Sequence, residues 1–326
     1  MARTIFSGIK PTGHLTLGNY LGALRRFVDV QHEARCVFSV VDLHALTVHH
    51  DPARLRRLTR EAATLYLAAG LDPAVCVVAR QSDIPAHTEL AYLLESTAYV
   101  GELNRMIQFK EKGRAQPGTR VSLYTYPVLM AADILAYGTT EVPVGDDQRQ
   151  HLELTRDLAV RFNRTYGPVF VVPEMSHAVV GARVMDLQDP NAKMSKDAPD
   201  DAPGSVRLLD APDVVRRKVM RAVTDPGREV SYDVERKPGV ANLLDILAGC
   251  VGETDLPALA SRYSSYATLK RDTADAVVAV LEPLQKKYAE LETDPAYVDA
   301  TLRLGAERAR DLTTPTVAAA RAAMGL

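Results

Sequence analysis

The 326-residue sequence has no tryptophan and only three cysteines, and aromatic residues make up 6% of it. The cysteines are widely spaced and form no Cys-x-x-Cys pair, so we expect neither a disulfide framework nor a zinc knuckle. No apolar run approaches the roughly 20 residues that a membrane-spanning helix needs. The N-terminus also lacks the pattern of a signal peptide. These absences predict a cytoplasmic protein with reduced thiols.

The sequence has almost no net charge. Its 39 basic and 41 acidic residues give a formal charge of −2. A protein that binds nucleic acid through bulk electrostatics is usually more basic, so any such contact would depend on local patches and shape. The apolar fraction of 47% and the charged fraction of 25% are typical of a globular protein. The length allows one large or two modest domains.

The first 80 residues alternate between two kinds of hydrophobic pattern. Short apolar runs at 4–9, 36–41 and 75–79 predict strands, and helical spacing at 17–28 and 52–71 predicts helices. This alternation indicates the α/β class with a Rossmann-like, doubly wound parallel sheet. Ligands of such sheets bind beyond the carboxyl ends of the strands, so we expect a site in the loops that follow them.

The pattern changes further along the chain. We predict helices over 86–110 and 123–137, and short strands at 142–144 and 169–172. From residue 210 onwards the spacing is helical, with almost no strand signal.

We therefore expect two domains. A catalytic domain would span 1–200, with a mobile loop at 190–203, and an all-helical domain would span 201–326. We expect the last helix to pack back on the catalytic domain.

The segment KPTGHLTLGN at 10–19 directly follows the first predicted strand and enters a helix. A helix N-terminus offers unpaired N–H groups and a partial positive charge, which suit a phosphate. We expect the short polar side chains of Thr16 and Asn19 to point the same way, one turn apart. An ordinary strand–helix turn with capping residues is an equally good interpretation of this segment alone.

A second motif, KMSK at 193–196, lies in the loop rich in proline and aspartate. Two lysines flanking a serine could neutralise the charge that develops on a leaving pyrophosphate. Taken alone, a solvated basic loop is the better interpretation.

Together the two motifs resemble the class I aminoacyl-tRNA synthetases, with Thr16 and Asn19 where the two histidines of the HIGH signature stand. The segments YPVLMAADIL at 126–135, VPVGDDQRQHLELTRDLAVRFN at 142–163 and VGARVMDL at 180–187 narrow the resemblance to the bacterial-type tryptophanyl-tRNA synthetases. It covers essentially the whole chain.

This resemblance implies a two-step ligase reaction. Tryptophan and ATP would form tryptophanyl-adenylate and pyrophosphate, and tryptophan would then pass to the 3′ end of tRNA(Trp). ATP would enter as a substrate with Mg²⁺ on its phosphates, without a tightly bound metal. The resemblance also implies a homodimer.

The resemblance further implies three sets of site residues. The catalytic set comprises Thr16, Asn19, Lys193, Ser195 and Lys196. The ATP-binding set comprises Lys10, Pro11, Thr12, Gly18, Asn19, Gly145, Asp146, Asp147, Val184, Lys193, Met194, Ser195 and Lys196. The tryptophan-binding set comprises Phe6, His44, Tyr126, Met130, Asp133, Val142, Val144 and Gln148.

Asp133 is the member of these sets for which the sequence itself supplies an argument. It lies in the apolar run AADILAY, where a buried carboxylate is costly unless it is paired. The resemblance implies that it accepts a hydrogen bond from the indole N–H. Pairing with a neighbouring helix is the alternative, and plain core packing is the alternative for the apolar members such as Phe6. His44 depends wholly on the resemblance.

The helical region carries two basic stretches, at 216–218 and 270–271. The resemblance implies that this region meets the anticodon of the tRNA, and single-stranded loops are where RNA sequence is read. Solvated helix faces are the alternative for each stretch.

Three positions depart from the commonest family pattern. Lys10 and Leu43 each stand where glutamine is frequent, and Asp197 replaces the last serine of KMSKS. Three other functions stay open: a tyrosyl-tRNA synthetase, a paralogue that binds tryptophan or a protein without charging tRNA, and a generic nucleotide-binding module.

Overall fold

The computed structural model describes residues 3–112, 118–143, 148–175 and 183–326. Five parallel strands form its sheet; in chain order they are β1 (Thr4–Ile9), β2 (Arg35–Val40), β3 (Val77–Arg80), β4 (Glu141–Val142) and β5 (Glu174–Met175). Their order across the sheet is β3-β2-β1-β4-β5. The strands β2 and β3 thus lie on one side of β1, and β4 and β5 lie on the other side. This order confirms the predicted doubly wound α/β fold.

Hydrophobic residues cover both faces of the sheet. Successive strand residues point to opposite faces, so Phe38 and Val40 join one core cluster while Val37 and Val41 join the other. The first cluster continues into the C-terminal helices, and the second into the helices on the opposite face. Strands that are buried on both faces explain why the sequence shows continuous apolar runs.

The helices before the second half of the sheet follow from local signals in the sequence. They are α1 (Leu17–Asn19), α2 (Arg25–Val30), α3 (Pro52–Ala68), α4 (Pro85–Glu95), α5 (Val100–Leu103), α6 (Ile107–Lys112) and α7 (Val121–Leu135). A π-helical turn, Tyr20–Leu24, joins α1 to α2. Asp51 caps α3 by accepting a hydrogen bond from the Arg54 N–H at 2.6 Å. The region predicted as two helical stretches at 86–110 contains three helices.

One predicted strand is wrong. Residues 169–172 form no strand, and β5 lies further on at Glu174–Met175. The reason is the side chain of Asn163, which accepts the N–H groups of Val169 and Phe170 at 2.9 and 2.8 Å and donates to the Phe170 carbonyl at 2.7 Å. These backbone groups are satisfied by a side chain instead of by a neighbouring strand. The third strand also begins two residues later than predicted, at Val77.

The second half of the described chain is largely helical. Its helices are α8 (Arg149–Tyr166), α9 (Pro212–Met220), α10 (Pro238–Val251), α11 (Leu256–Ser261), α12 (Tyr266–Glu292) and α13 (Pro295–Met324). Helix α12 packs on α3, and α13 packs along β3 and α4. The Arg308 guanidinium on α13 donates to the carbonyls of Pro73 and Cys76 just before β3. Helix α13 therefore covers the edge strand of the sheet. The division near residue 200 stays a prediction.

None of the helices within the described residues is long and apolar enough to cross a membrane.

Candidate active site

The loops that follow β1, β2 and β3 meet at the carboxyl edge of the sheet. β1 lies between β2 and β4; the connection after β1 leads to β2, and the connection after β4 leads the other way to β5, so a crevice is expected between the ends of β1 and β4. The predicted site residues of 10–19 follow β1, and His44 lies in the turn Leu43–Thr47 that follows β2. The turn Gln81–Asp83 follows β3. The fold thus gathers these residues at the edge where ligands of such sheets bind.

Thr16 and Asn19 form a capping box at the start of α1. Thr16 is fully buried, and its N–H and Oγ1 lie 3.0 and 3.1 Å from Asn19 Oδ1. The Asn19 N–H in turn lies 3.4 Å from Thr16 Oγ1. The two side chains lie together as expected, and they also perform the ordinary capping role.

The KMSK loop lies directly against the loop after β1. The Thr12 hydroxyl donates to an Asp197 carboxylate oxygen. A Cβ added to Gly13 would lie 1.8 Å from the Lys196 carbonyl oxygen, so the two backbones meet at a distance that only glycine allows. Gly18 faces the side chains of Val184 and Met194. A Cβ added to Gly18 would lie 3.5 and 3.8 Å from the Cβ atoms of these two residues. Most of the predicted ATP-binding residues therefore occupy one contiguous region.

Charged side chains anchor the far end of this loop. Arg54 makes two hydrogen bonds of 3.0 Å to the Asp200 carboxylate, and this contact holds the pKa of Asp200 below its usual range. His14 Nδ1 lies 2.8 Å from a Glu61 oxygen. The Arg207 guanidinium donates to the carbonyls of Ser195 and Ala198 at 3.3 and 2.8 Å. In this structure the loop is docked at both ends.

Lys10 points into the same edge of the sheet, where its Nζ donates to Thr47 Oγ1 at 3.2 Å. This contact ties the loop after β1 to the turn that carries His44.

Asp133 lies at the centre of a buried polar cluster. Its side chain is 1% exposed. Oδ2 lies 2.8 Å from His44 Nε2, and the Gln81 amide nitrogen lies 2.8 Å from both carboxylate oxygens. His87 Nδ1 is 3.2 Å from Oδ1, at ion-pair distance but outside hydrogen-bond geometry. The carboxylate is thus buried and paired, as a charge in this position must be.

Two further side chains complete this cluster. His87 is fully buried, and burial lowers its pKa, so the ring is neutral at pH 7. Its Nε2 lies 2.7 Å from the Tyr137 hydroxyl, and burial raises the pKa of that phenol. Phe6 stacks on Tyr137 with ring centroids 5.5 Å apart. Phe6 therefore packs in the core, and its role in the pocket stays a prediction.

The other members of the predicted tryptophan set surround Asp133 more loosely. The Tyr126 ring meets the His44 ring edge-on at 6.0 Å, and its hydroxyl lies 2.5 Å from His151 Nε2. Met130 is partly buried against the core, one turn before Asp133 on α7, and Val142 is buried at the end of β4. Gln148 is the N-cap of α8.

Four predicted site residues, Val144, Gly145, Asp146 and Asp147, lie outside the described residues. Among the residues that are described, no group of three or more acidic, histidine or cysteine side chains is placed to hold a metal ion.

Sequence reasoning missed Gln81, His87 and His151. The strand-end rule pointed to the loop that contains Gln81, and Gln81 is the first polar uncharged residue after β3. Helical spacing could have indicated that both histidines are buried, because His87 falls in line with Leu90, Ala91 and Leu94, and His151 with Leu154 and Leu158.

The basic stretches are largely engaged in structural contacts. Arg216 pairs with Asp275 at 3.1 Å, and Lys270 Nζ donates to the Ala222 carbonyl at 2.7 Å.

A crevice with a helix N-terminus, a basic loop and a buried carboxylate is the arrangement of a class I synthetase. The family model of class I tRNA synthetases for tryptophan and tyrosine (W and Y) matches residues 2–282. The chain is 61% identical to tryptophan–tRNA ligase 1 of Streptomyces avermitilis over 99% of each chain.

Two solved structures have the same fold over nearly their whole length. Tryptophanyl-tRNA synthetase from Mycoplasma pneumoniae is 34% identical with a TM-score of 0.91, and it covers 100% of this chain and 98% of its own. The Campylobacter jejuni enzyme, solved with ADP and tryptophan, is 31% identical with a TM-score of 0.81, covering 99% of this chain and 100% of its own. This chain belongs to the bacterial-type tryptophan–tRNA ligases within class I.

Proposed function

We propose that the protein activates L-tryptophan with ATP and transfers it to the 3′ end of tRNA(Trp). One observation carries the choice of tryptophan. Asp133 presents a buried carboxylate at the carboxyl edge of the sheet, and this carboxylate can accept the indole N–H of tryptophan, a donor that the phenylalanine ring lacks. A site that requires such a hydrogen bond rejects analogues that lack the donor by orders of magnitude.

The tryptophan pocket is built around this carboxylate. We propose that Phe6, Met130, Val142 and Val144 form its apolar walls, and that His44 borders it. Tyr126 and Gln148 would hold the amino group of the substrate. The Gln81 amide and the His44 ring both lie 2.8 Å from the Asp133 carboxylate and hold it in place beside the proposed pocket.

The ATP site would lie across the N-terminus of α1. We propose that Lys10, Pro11, Thr12, Gly18 and Asn19 receive the nucleotide. Gly145, Asp146 and Asp147 would bind the ribose, since a carboxylate can accept both hydroxyls. The contact of Gly18 with Val184 and Met194 supports an adenine site there. The helix N-terminus suits phosphate.

Catalysis would depend on position and charge, without a covalent nucleophile on the protein. Thr16 and Asn19 would orient the α-phosphate, and Lys193, Ser195 and Lys196 would stabilise the negative charge that develops on pyrophosphate. Mg²⁺ would arrive with the ATP phosphates as part of the substrate.

A homodimer would complete the assembly. The exposed apolar residues Tyr99, Val100, Ile107 and Val121 are 53–75% exposed. Tyr124 connects their segments, because its hydroxyl donates to the Val100 carbonyl at 2.9 Å and its ring contacts Phe109. An apolar patch of this kind favours contact with a second copy.

The tRNA would cross this dimer. We propose that residues 1–200 form the catalytic domain and 201–326 the anticodon-binding domain, with the protein acting in the cytoplasm where tRNA is charged. The basic stretches at 216–218 and 270–271 are the candidate contacts.

The test is amino-acid-dependent exchange of labelled pyrophosphate into ATP, with tryptophan, tyrosine and phenylalanine side by side, followed by charging of tRNA(Trp). We expect exchange with tryptophan alone and a charged tRNA. Exchange with tyrosine would instead indicate the activity of a tyrosyl-tRNA synthetase. Exchange without charging would indicate a paralogue that does not serve translation.

A further inference from the structure

Gln81 is held between the predicted tryptophan pocket and the turn after β2. It is fully buried at the start of the turn that follows β3. Its Oε1 accepts the Leu43 N–H at 3.0 Å, and its Nε2 donates to both oxygens of Asp133 at 2.8 Å. Because the Leu43 N–H can only donate, the amide has one orientation, with its nitrogen towards the carboxylate.

We infer that Gln81 is a positioning residue that sets the selectivity for the indole N–H, an inference that rests on the proposed function. Its amide nitrogen, which lies 2.8 Å from both oxygens, fixes the plane of the Asp133 carboxylate. Asp133 in turn would present its remaining acceptor capacity to the substrate. Gln81 acts through Asp133 and does not itself contact the amino acid.

The electrostatics around Asp133 make this donor important. The ion-pair partners of Asp133 within the described residues are His44 and His87, and no lysine or arginine is among them. His87 is neutral, because burial lowers its pKa, and its other nitrogen is engaged by the Tyr137 hydroxyl. The charge of a 1%-exposed carboxylate therefore depends on N–H donors, of which Gln81 serves both oxygens.

Loss of the Gln81 amide should weaken recognition of the indole N–H of tryptophan more than it changes any other property of the site. Without it the carboxylate can rotate out of the plane in which it accepts the indole N–H. This rotation reduces the preference for tryptophan over an isosteric analogue that lacks the indole N–H, such as β-(3-benzothienyl)alanine. Binding of ATP, on the other side of the crevice, should not change.

The experiment compares Gln81→Met with wild type in pyrophosphate exchange, using tryptophan and the benzothienyl analogue. We expect kcat/KM for tryptophan to fall about 10- to 100-fold, as for loss of a hydrogen bond to a buried charge. The value for the analogue should change less than about 3-fold, so the ratio of the two collapses. The KM for ATP should stay constant.

Gln31 supplies a matched control. It is also a buried glutamine. Its amide nitrogen donates to the carbonyls of Val28 and Gly70 at 3.1 Å, and its oxygen accepts the Asp72 N–H at 2.8 Å. Apart from the Cys76 thiol, which donates to the same oxygen at 3.7 Å, these partners are backbone groups, and no ionisable carboxylate is among them. Gln31→Met should lower Tm and leave the ratio between tryptophan and the analogue unchanged.

Two results would overturn the inference. An equal loss for both amino acids, which leaves their ratio unchanged, would mean that Gln81 is only structural, and wild-type values for both would mean that it does not act on Asp133. Where Gln81→Met fails to fold, Gln81→Glu keeps the shape but puts a second carboxyl beside Asp133, and the same collapse of the ratio is expected. Absence of tryptophan-dependent exchange in wild type would instead contradict the proposed function, so the two failures are distinguishable.

Discussion

Each side of the crevice contains a carboxylate, and the two differ in burial. Asp133 on α7 is buried and is contacted by side chains from the turn after β3 and from the turn after β2. Asp197 lies on an exposed loop and accepts a hydrogen bond from Thr12. The amino-acid side is therefore built into the core before any ligand arrives, whereas the phosphate side is assembled by contacts between loops. Preorganisation suits selectivity, and adjustable loops suit a reaction in which pyrophosphate must leave.

The largest effect should come from removing the buried charge. Asp133→Asn replaces a carboxylate oxygen with an amide that faces the Gln81 donor, and the acceptor for the indole is lost. We expect kcat/KM for tryptophan in pyrophosphate exchange to fall about 100- to 1,000-fold. The KM for ATP should be unchanged. Equal losses for both substrates would contradict the separation of the two sides.

A smaller effect is expected on the phosphate side from Lys196→Met. This change removes one cation that would face the leaving pyrophosphate, so kcat for exchange should fall about 100-fold. The Kd for tryptophan in the absence of ATP should not change. Lys286→Met, at an exposed position on α12, serves as the control and should retain wild-type exchange. A weakened Kd for tryptophan would show that the two sides are coupled.

The docking of the loop should depend on the contact between Thr12 and Asp197. Asp197→Ala removes the acceptor, and we expect trypsin to cleave within 190–203 about 3- to 10-fold faster, in line with one lost hydrogen bond.

Thr12→Val is the matched control for this contact. It should give a similar increase in cleavage, and the double variant should be no more sensitive than either single variant. Additive increases would mean that the two residues act independently.

The smallest effect concerns stability away from the crevice. Burial raises the pKa of Asp245 on α10 to about 6, although the Tyr232 hydroxyl donates to it at 3.2 Å. The folded state therefore binds this proton more tightly than the unfolded state, and stability falls as pH rises from about 4 to about 6. Asp245→Asn should stabilise the protein at pH 7 by about 1 kcal/mol, after discounting for solvent screening.

Thermal unfolding at two pH values checks this sign. The gain in Tm for Asp245→Asn should be present at pH 7. It should vanish below pH 4, where Asp245 is protonated and uncharged in both the folded and the unfolded state. A gain that is independent of pH would assign the effect to packing.

Much of the fold follows from local patterns in the sequence. Alternating apolar runs predicted the first three parallel strands, and the pair Asp51–Pro52 predicted the start of α3. The strand at 169–172 was wrong because Asn163, in the middle of an ordinary amphipathic helix, binds that backbone through its side chain. Such a tertiary contact has no periodic signal.

The candidate site was predicted less evenly. A charge within an apolar run singled out Asp133, because burial of a carboxylate demands partners. The identity of those partners could not be predicted, since Gln81 and His87 lie about 50 residues away and become neighbours only when α4 and the turn before it meet α7. The role of Phe6 came from family resemblance, and the residue is equally explained by core packing.

We expect the amino-acid side to bind tryptophan before ATP binds. Because the chain has no tryptophan, fluorescence of the added substrate can be followed without an indole background from the protein. Titration without ATP should give saturable tryptophan binding in wild type and Lys196→Met with the same Kd, and none in Asp133→Asn. Binding that requires ATP would contradict this expectation. Binding that survives in Asp133→Asn but is lost in Lys196→Met would also contradict it.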